Sequence, residues 1–222
     1  MKILTLSFLL SFGIIISAHA QSFVLEKGHN GFLISAGFST NEDISGFSGG
    51  VGYSFSGAFD LGISVGRFGF DQQLLGEDLN ATTISPYASY FIIKQDELIP
   101  VSFAVNGSYE RSIYSNRVLS DYNIDMTGNF FSIGASLYSM FEASEAMKIQ
   151  PSMGVSYISG ELKVEDSTGS DTKSANTTLI TFGLSLIFQS TPTNIFVVTP
   201  LLGFGDDVTT FGLSLSLALP HN

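Results

Sequence analysis

Three histidines, His19, His29 and His221, are the side chains best suited to proton transfer near neutral pH, and their placement restricts what they can do. His19 sits in an N-terminal leader, His29 opens the first predicted strand, and His221 lies in the terminal tail. None falls in a segment expected at the outer surface, where Ser-His-acid or Asp-His chemistry needs groups within hydrogen-bond reach. The sequence therefore predicts no enzyme, no catalytic residue and no cofactor. Cysteine is absent, so neither a disulfide framework nor a lipid-bearing cysteine at the leader is available.

Oxygen ligands are plentiful by comparison. Thirteen of the twenty acids gather in polar segments: Glu42, Asp43, Asp71, Glu77, Asp78, Asp121, Asp125, Glu161, Glu165, Asp166, Asp171, Asp206 and Asp207. Hard divalent cations favour such groups and could bridge them to lipopolysaccharide phosphates, but no segment has the ordered spacing of a calcium loop, and solvated loop charge is the preferred reading. No metal site is assigned. The net charge of -11 makes nucleic acid a poor partner.

The elements that must carry these residues begin after residue 20. Met1 and Lys2 precede an apolar run over 3–17, and Ala18, His19 and Ala20 form a small-x-small cleavage pattern, so 1–20 reads as a cleaved signal peptide. Residues 21–29 are a short periplasmic segment and 30–222 a single domain.

Alternation with period two then recurs. Ile180, Phe182, Leu184, Leu186 and Phe188 share one face, with Thr181, Gly183 and Ser185 opposite. Phe211, Leu213, Leu215, Leu217 and Leu219 repeat the pattern against Gly212, Ser214 and Ser216, and two further segments follow it around Phe47–Phe55 and Phe131–Phe141. These are strands.

The second face decides where they lie. A water-soluble barrel would carry Lys, Glu, Gln and Asp there, but Gly, Ser and Thr dominate, and charged residues make up 13% of the chain where a soluble domain has about a quarter. Aromatics collect at the ends of the apolar faces. Phe38, Phe47, Tyr109, Phe131, Tyr157 and Phe211 mark one rim, and Phe55, Phe59, Phe103, Phe141 and Phe188 the other, as in two interfacial girdles. About nine residues at ~3.3 Å each, tilted by ~45°, cross a little over 20 Å, close to the apolar band of such barrels.

The fold class expected is all-β: a closed antiparallel up-and-down transmembrane β-barrel of about ten strands, near 30–39, 45–56, 58–69, 82–93, 100–112, 128–141, 147–160, 177–189, 194–204 and 208–219. Eight strands is the second count. Short connections alternate with longer polar loops at 71–81, 115–127 and 163–176. Pro86 and Pro200 would then mark bulges or rims, while Pro100 and Pro151 sit at strand starts.

The leader, the alternation, the aromatic rims and the final strand with Thr210, Phe211, Gly212, Leu215 and Leu217 resemble the small bacterial outer-membrane barrels related to the OmpA, OmpX and OmpW transmembrane domains. That resemblance implies a porin-family barrel in the outer membrane of a Gram-negative cell, in contact with lipid and lipopolysaccharide and inserted by the barrel-assembly machinery. The last strand departs from the family pattern in lacking its terminal aromatic.

Inside the expected lumen, Asp60, Asn106, Glu110 and Tyr138 are the larger polar residues, with Arg111 near the rim. Two functions follow, the channel as the first reading and the closed barrel as its alternative. Small inward residues would allow a narrow passive channel for small solutes; a polar network closing the lumen would leave a non-enzymatic surface-interaction, adhesion or scaffold barrel.

Overall fold

Large apolar side chains at every second position make each segment a strand with one face suited to hydrocarbon. The computed structural model describes Leu25 and residues 27–74, 76–96, 98–191, 194–206 and 208–221; the predicted leader lies outside them. The described residues form eleven strand segments: β1 (Asn30–Thr40), β2 (Ile44–Phe55), β3 (Phe59–Leu74), β4 (Glu77–Ile93), β5 (Ser102–Ser115), β6 (Asp125–Tyr138), β7 (Phe141–Ser144), β8 (Met147–Asp166), β9 (Gly169–Thr191), β10 (Asn194–Gly205) and β11 (Val208–His221). A short helix, α1 (Arg117–Asp121), connects β5 to β6.

Each strand pairs antiparallel with the next, and β1 returns to β11 from Asn30↔His221 to Thr40↔Phe211, which closes the sheet. Segments β6 and β7 both pair with β8 in one register and occupy one position in the wall. The barrel therefore has ten strands, not eight. Closure follows from the solvent, since hydrocarbon offers no partner for an edge N–H or C=O.

Three prolines sit well inside strands, and the ladder accommodates each in the same way. Pro86 pairs with Ile63 of β3, but toward β5 the bridges skip from Ile84↔Arg111 to Tyr87↔Ser108 without a change of register. Pro200 pairs with Leu213 of β11, and toward β9 the bridges skip from Val198↔Leu186 to Leu201↔Gly183. Pro151 pairs with Leu184 and faces the break between β6 and β7. The expectation of bulges or rims at Pro86 and Pro200 is corrected to in-register gaps, because a missing N–H affects only one neighbour. Pro151 lies within β8 and not at its start.

A second correction concerns the outer connections. Residues 71–81 and 163–176 are mostly strand, not loop: β3 runs to Leu74 and β4 starts at Glu77, while β8 and β9 stay paired to Asp166↔Gly169. Only β5 and β6 are joined by a longer connection, in which Asn116 caps α1 by accepting from the Leu119 N–H at 2.7 Å. On the opposite side, Ser56 and Gly57 both have positive φ (53° and 59°), as a type I′ turn requires.

Side-chain carbonyls and carboxylates make several turns. Asn41 Oδ1 accepts from the N–H groups of Asp43 and Ile44, and Asp166 Oδ1 accepts from the Thr168 hydroxyl at 2.6 Å, the Thr168 N–H at 2.7 Å and the Gly169 N–H at 3.1 Å. The Thr168 hydroxyl foremost, then these amides, hold the Asp166 carboxyl below its ordinary pKa. A depressed folded-state pKa places the carboxylate's support of the turn above the unfolded-state pKa, and that support is lost as pH falls through the folded value. Acidification should therefore lower the protection of the Thr168 and Gly169 amides, relative to the intrinsic exchange rate at each pH, before it affects the barrel wall, and Asp166→Ala should produce the same local loss of protection at neutral pH. NMR of the two amides in detergent reads both; unchanged exchange in the variant would remove the carboxylate from the turn.

Candidate functional site: the lumen and its two mouths

Parity sorts the wall cleanly. Phe47 (69% exposed), Val51, Phe131 (53% exposed), Ile133 and Phe182 face outward, while Ser54, Ser64, Ser89, Ser112 and Ser185 face inward and are buried. Each rim aromatic predicted from the sequence is on the outer face.

The inner face is not uniformly small. Near the outer mouth, Ile44, Phe68, Phe70, Tyr114, Phe130 and Leu162 form one apolar cluster, and α1 inserts Leu119 into it. Near the mouth that carries the termini, Leu33, Phe91, Tyr138, Ile187 and Val197 form another, and Leu25 inserts from the N-terminal segment. Lys94 Nζ donates to the carbonyls of Leu25 and Gly57, which ties that segment across the mouth. A third small cluster joins Ile158 of β8 to Leu179 of β9.

Many inward glycines turn out to be sockets for these rings. A Cβ on Gly46 or Gly66 would overlap Phe68, on Gly52 or Gly62 it would overlap Tyr87, and on Gly128 or Gly160 it would overlap Phe130. The sequence reading missed these aromatics as lumen residues. Alternation could have found them: Phe68 and Phe70 share the parity of Ser64 and Gly66, Tyr87 that of Ser85 and Ser89, and Phe130 that of Ser132 and Gly134. Leu25 and Leu119 carried no such signal, because their positions depend on tertiary contacts.

Asp60, Asn106, Glu110 and Tyr138 all face inward, Tyr138 within the apolar cluster near the mouth that carries the termini. Asp60 is fully buried in a cross-strand row with Ser54 and Ser89, and Ser89 in turn pairs with Asn106. Glu110 accepts separately from Ser112 Oγ at 2.9 Å and Ser85 Oγ at 3.3 Å. Asn106 Nδ2 donates to Ser136 Oγ at 3.4 Å. These groups can hold hydrogen bonds or water.

Other candidates are relocated. Arg111 points outward, not into the lumen. His221 is the last residue of β11 and not a solvated tail: its Nε2 lies 3.1 Å from Tyr53 Oη and its ring stacks on Phe32. It thereby stands on the outer face, in step with Leu217 and Leu219. Among the described residues, no three His, Asp or Glu side chains converge as metal ligands.

The chain matches no protein-family model and no curated protein. Solved structures share its fold. The translocator domain of the autotransporter NalP from Neisseria meningitidis aligns with a TM-score of 0.58 at 9% identity, covering 91% of this chain and 92% of that one. An outer-membrane channel from Pseudomonas putida F1 aligns with a TM-score of 0.50 at 10% identity, covering 89% and 97%. The attachment invasion locus protein of Yersinia pestis covers 88% of this chain and 100% of its own, with a TM-score of 0.44 and 15% identity. With its closed sheet and apolar outer wall, the protein is an integral outer-membrane β-barrel.

The socket geometry has a measurable consequence. Gly62→Ala and Gly160→Ala should each destabilise the barrel by about 1–3 kcal/mol through overpacking against Tyr87 and Phe130. Gly107→Ala, on the outer face, meets only the Ser132 carbonyl oxygen at 3.5 Å and should be close to neutral. Urea unfolding in lipid vesicles distinguishes them; equal stability of all three variants would show that the rings yield freely.

Proposed function

We propose that the protein is a non-enzymatic barrel with a closed lumen that acts through its outer surface, in contact or attachment, and not by conducting solutes. The pair of apolar clusters carries this reading. A narrow apolar constriction sheds water and blocks ions even where it is not filled completely, and here such layers lie near both mouths. The glycines that would otherwise argue for an open path accommodate Phe68, Tyr87 and Phe130.

The outer surface supplies a structured alternative to passage. The β8–β9 hairpin is paired to its tip, but β10 accompanies β9 only as far as Phe204↔Ile180. From Gly169 to about Thr177 the hairpin therefore presents one strand edge above the low β10–β11 and β1–β2 turns. An edge of this kind can take an added strand from a partner, and exposed Asp171 and Lys173 limit promiscuous pairing.

Folded protein in planar bilayers should show no discrete conductance steps, and reproducible openings would overturn the closed-lumen reading. Excising 163–172 and joining Leu162 to Lys173 by an Asn-Gly turn preserves the register below the cut. Cells displaying this variant should lose most of any attachment to epithelial monolayers that the intact protein confers, while heat-dependent gel mobility stays unchanged. Undiminished attachment would exclude the hairpin as the contact.

A further inference from the structure

Near the level where the outer faces of β2 to β6 turn from apolar to polar, the two strands that flank β4 each carry an arginine, with one apolar residue, Ile113, beyond Arg111 on β5. Outward residues of β3 run Leu61, Ile63, Val65 and then Arg67; those of β5 run Val105, Gly107, Tyr109 and then Arg111. On the strands around them the same transition is made by Ser45, Thr82 and Asn129, which are neutral. Arg67 pairs across to Phe47 and Thr82, and Arg111 to Ile84 and Asn129. The two arginines thus flank β4, offset by two residues. With strands ~4.8 Å apart and ~3.3 Å per residue, their backbones are about 12 Å apart.

Neither guanidinium has a carboxylate within 4 Å among the described residues, in contrast to Arg117, Lys148 and Lys163, which pair with Asp121, Glu142 and Glu165. Among the described residues, a strongly acidic chain thus gives two of its few cations no carboxylate partner at the edge of its lipid-contacting belt. Tyr109 and Phe131, directly paired on the same face, mark the interfacial layer beside them, and the Tyr109 hydroxyl donates to Asn129 at 2.6 Å. Arginine at this level avoids the cost it would carry at mid-bilayer, and its planar donor set suits phosphate oxygens.

We propose that Arg67 and Arg111 form a binding site for the phosphate groups of an outer-leaflet glycolipid, with the acyl chains lying along the apolar wall of β3–β5. The site rests on the membrane placement of the barrel alone, so its failure leaves the closed-lumen reading intact, and conductance would not affect it. The occupant must be a lipid and not free phosphate, because the arginines adjoin a wall of Val65, Ile84 and Val105 that only acyl chains would cover.

The test is native mass spectrometry of the folded, detergent-released protein titrated with diphosphorylated lipid A, with dephosphorylated lipid A and with inorganic phosphate. The intact protein should prefer the diphosphorylated lipid by at least about tenfold. Removing one charge-assisted contact is expected to reduce retention by about tenfold, so Arg67→Gln with Arg111→Gln should abolish the preference. Arg67→Lys with Arg111→Lys should keep part of it. Lys148→Gln, at the opposite rim, should change nothing. All variants are first checked for heat-dependent gel mobility, and should the double Gln variant misfold, the Lys pair and phosphate competition still decide. The proposal is overturned if the two lipids bind alike, if the Gln or Lys pairs behave as the intact protein, or if inorganic phosphate displaces the lipid at equal concentration.

Discussion

The whole structure depends on backbone hydrogen bonds that must be completed without water. In hydrocarbon each unpaired N–H or C=O costs several kcal/mol, so the sheet must end on itself, and the β1–β11 pairing is the step that satisfies every strand at once. The same constraint explains how prolines are tolerated. Each of Pro86, Pro151 and Pro200 gives up bridges toward one neighbour and keeps them toward the other, so register survives around the barrel. A one-residue slip would have turned every following side chain to the wrong face; a gap does not.

Once closure fixes the wall, the lumen has to be filled from the same ten strands. Inward side chains occupy alternate positions, and a small barrel leaves room for them and little more. Rings from Phe68, Tyr87 and Phe130 cross to glycines on neighbouring strands, so residue pairs that look permissive singly are tightly packed together. Glycine content therefore says little about openness until the partner of each glycine is known. Ser85, Glu110 and Ser112 show the complementary rule, in which buried polar groups at mid-barrel are drawn together because no outside water competes for them.

Much of this was legible in the sequence, and what was not has definite causes. The outward face could be read because lipid makes one demand on every strand, and so Ile180, Phe182 and Leu184 announce themselves without knowledge of their neighbours. The count of ten followed from the same rhythm. The hairpin extensions were hidden because polar strands such as 169–176 lack an apolar face, and Asp166 with Thr168 makes a tight turn that composition alone presents as loop. The plugs were hidden for another reason. Their parity was visible at Phe68, Phe70 and Phe130, but the reading weighted the commoner small residues on that face, and Leu25 and Leu119 enter from outside the strands altogether. Arg111 was misassigned to the lumen for want of the same parity check.

The filling is also lopsided, which bears on what the barrel can do. Among the described residues, every inward aromatic comes from β3 to β6: Phe68 and Phe70, Tyr87 and Phe91, Tyr114, then Phe130 and Tyr138. The facing walls contribute aliphatic side chains near the mouths and serines between them, and inward Ser35, Ser48, Ser152, Ser156 and Ser214 remain only partly buried. Interior space thus lies off-axis, against β1, β2, β8 and β11, with Leu33, Ile187 and Val197 on one side and Ile158 and Leu179 on the other. Water can be satisfied there by hydroxyls. On the proposed reading a solute would have to displace apolar packing twice, and the rings on β3 to β6 would have to vacate their glycine sockets to let it pass. On the proposed closed-lumen reading, these wall-borne side chains would do the closing together with Leu25 and Leu119, and the outer rim would be the part of the molecule free to meet other molecules.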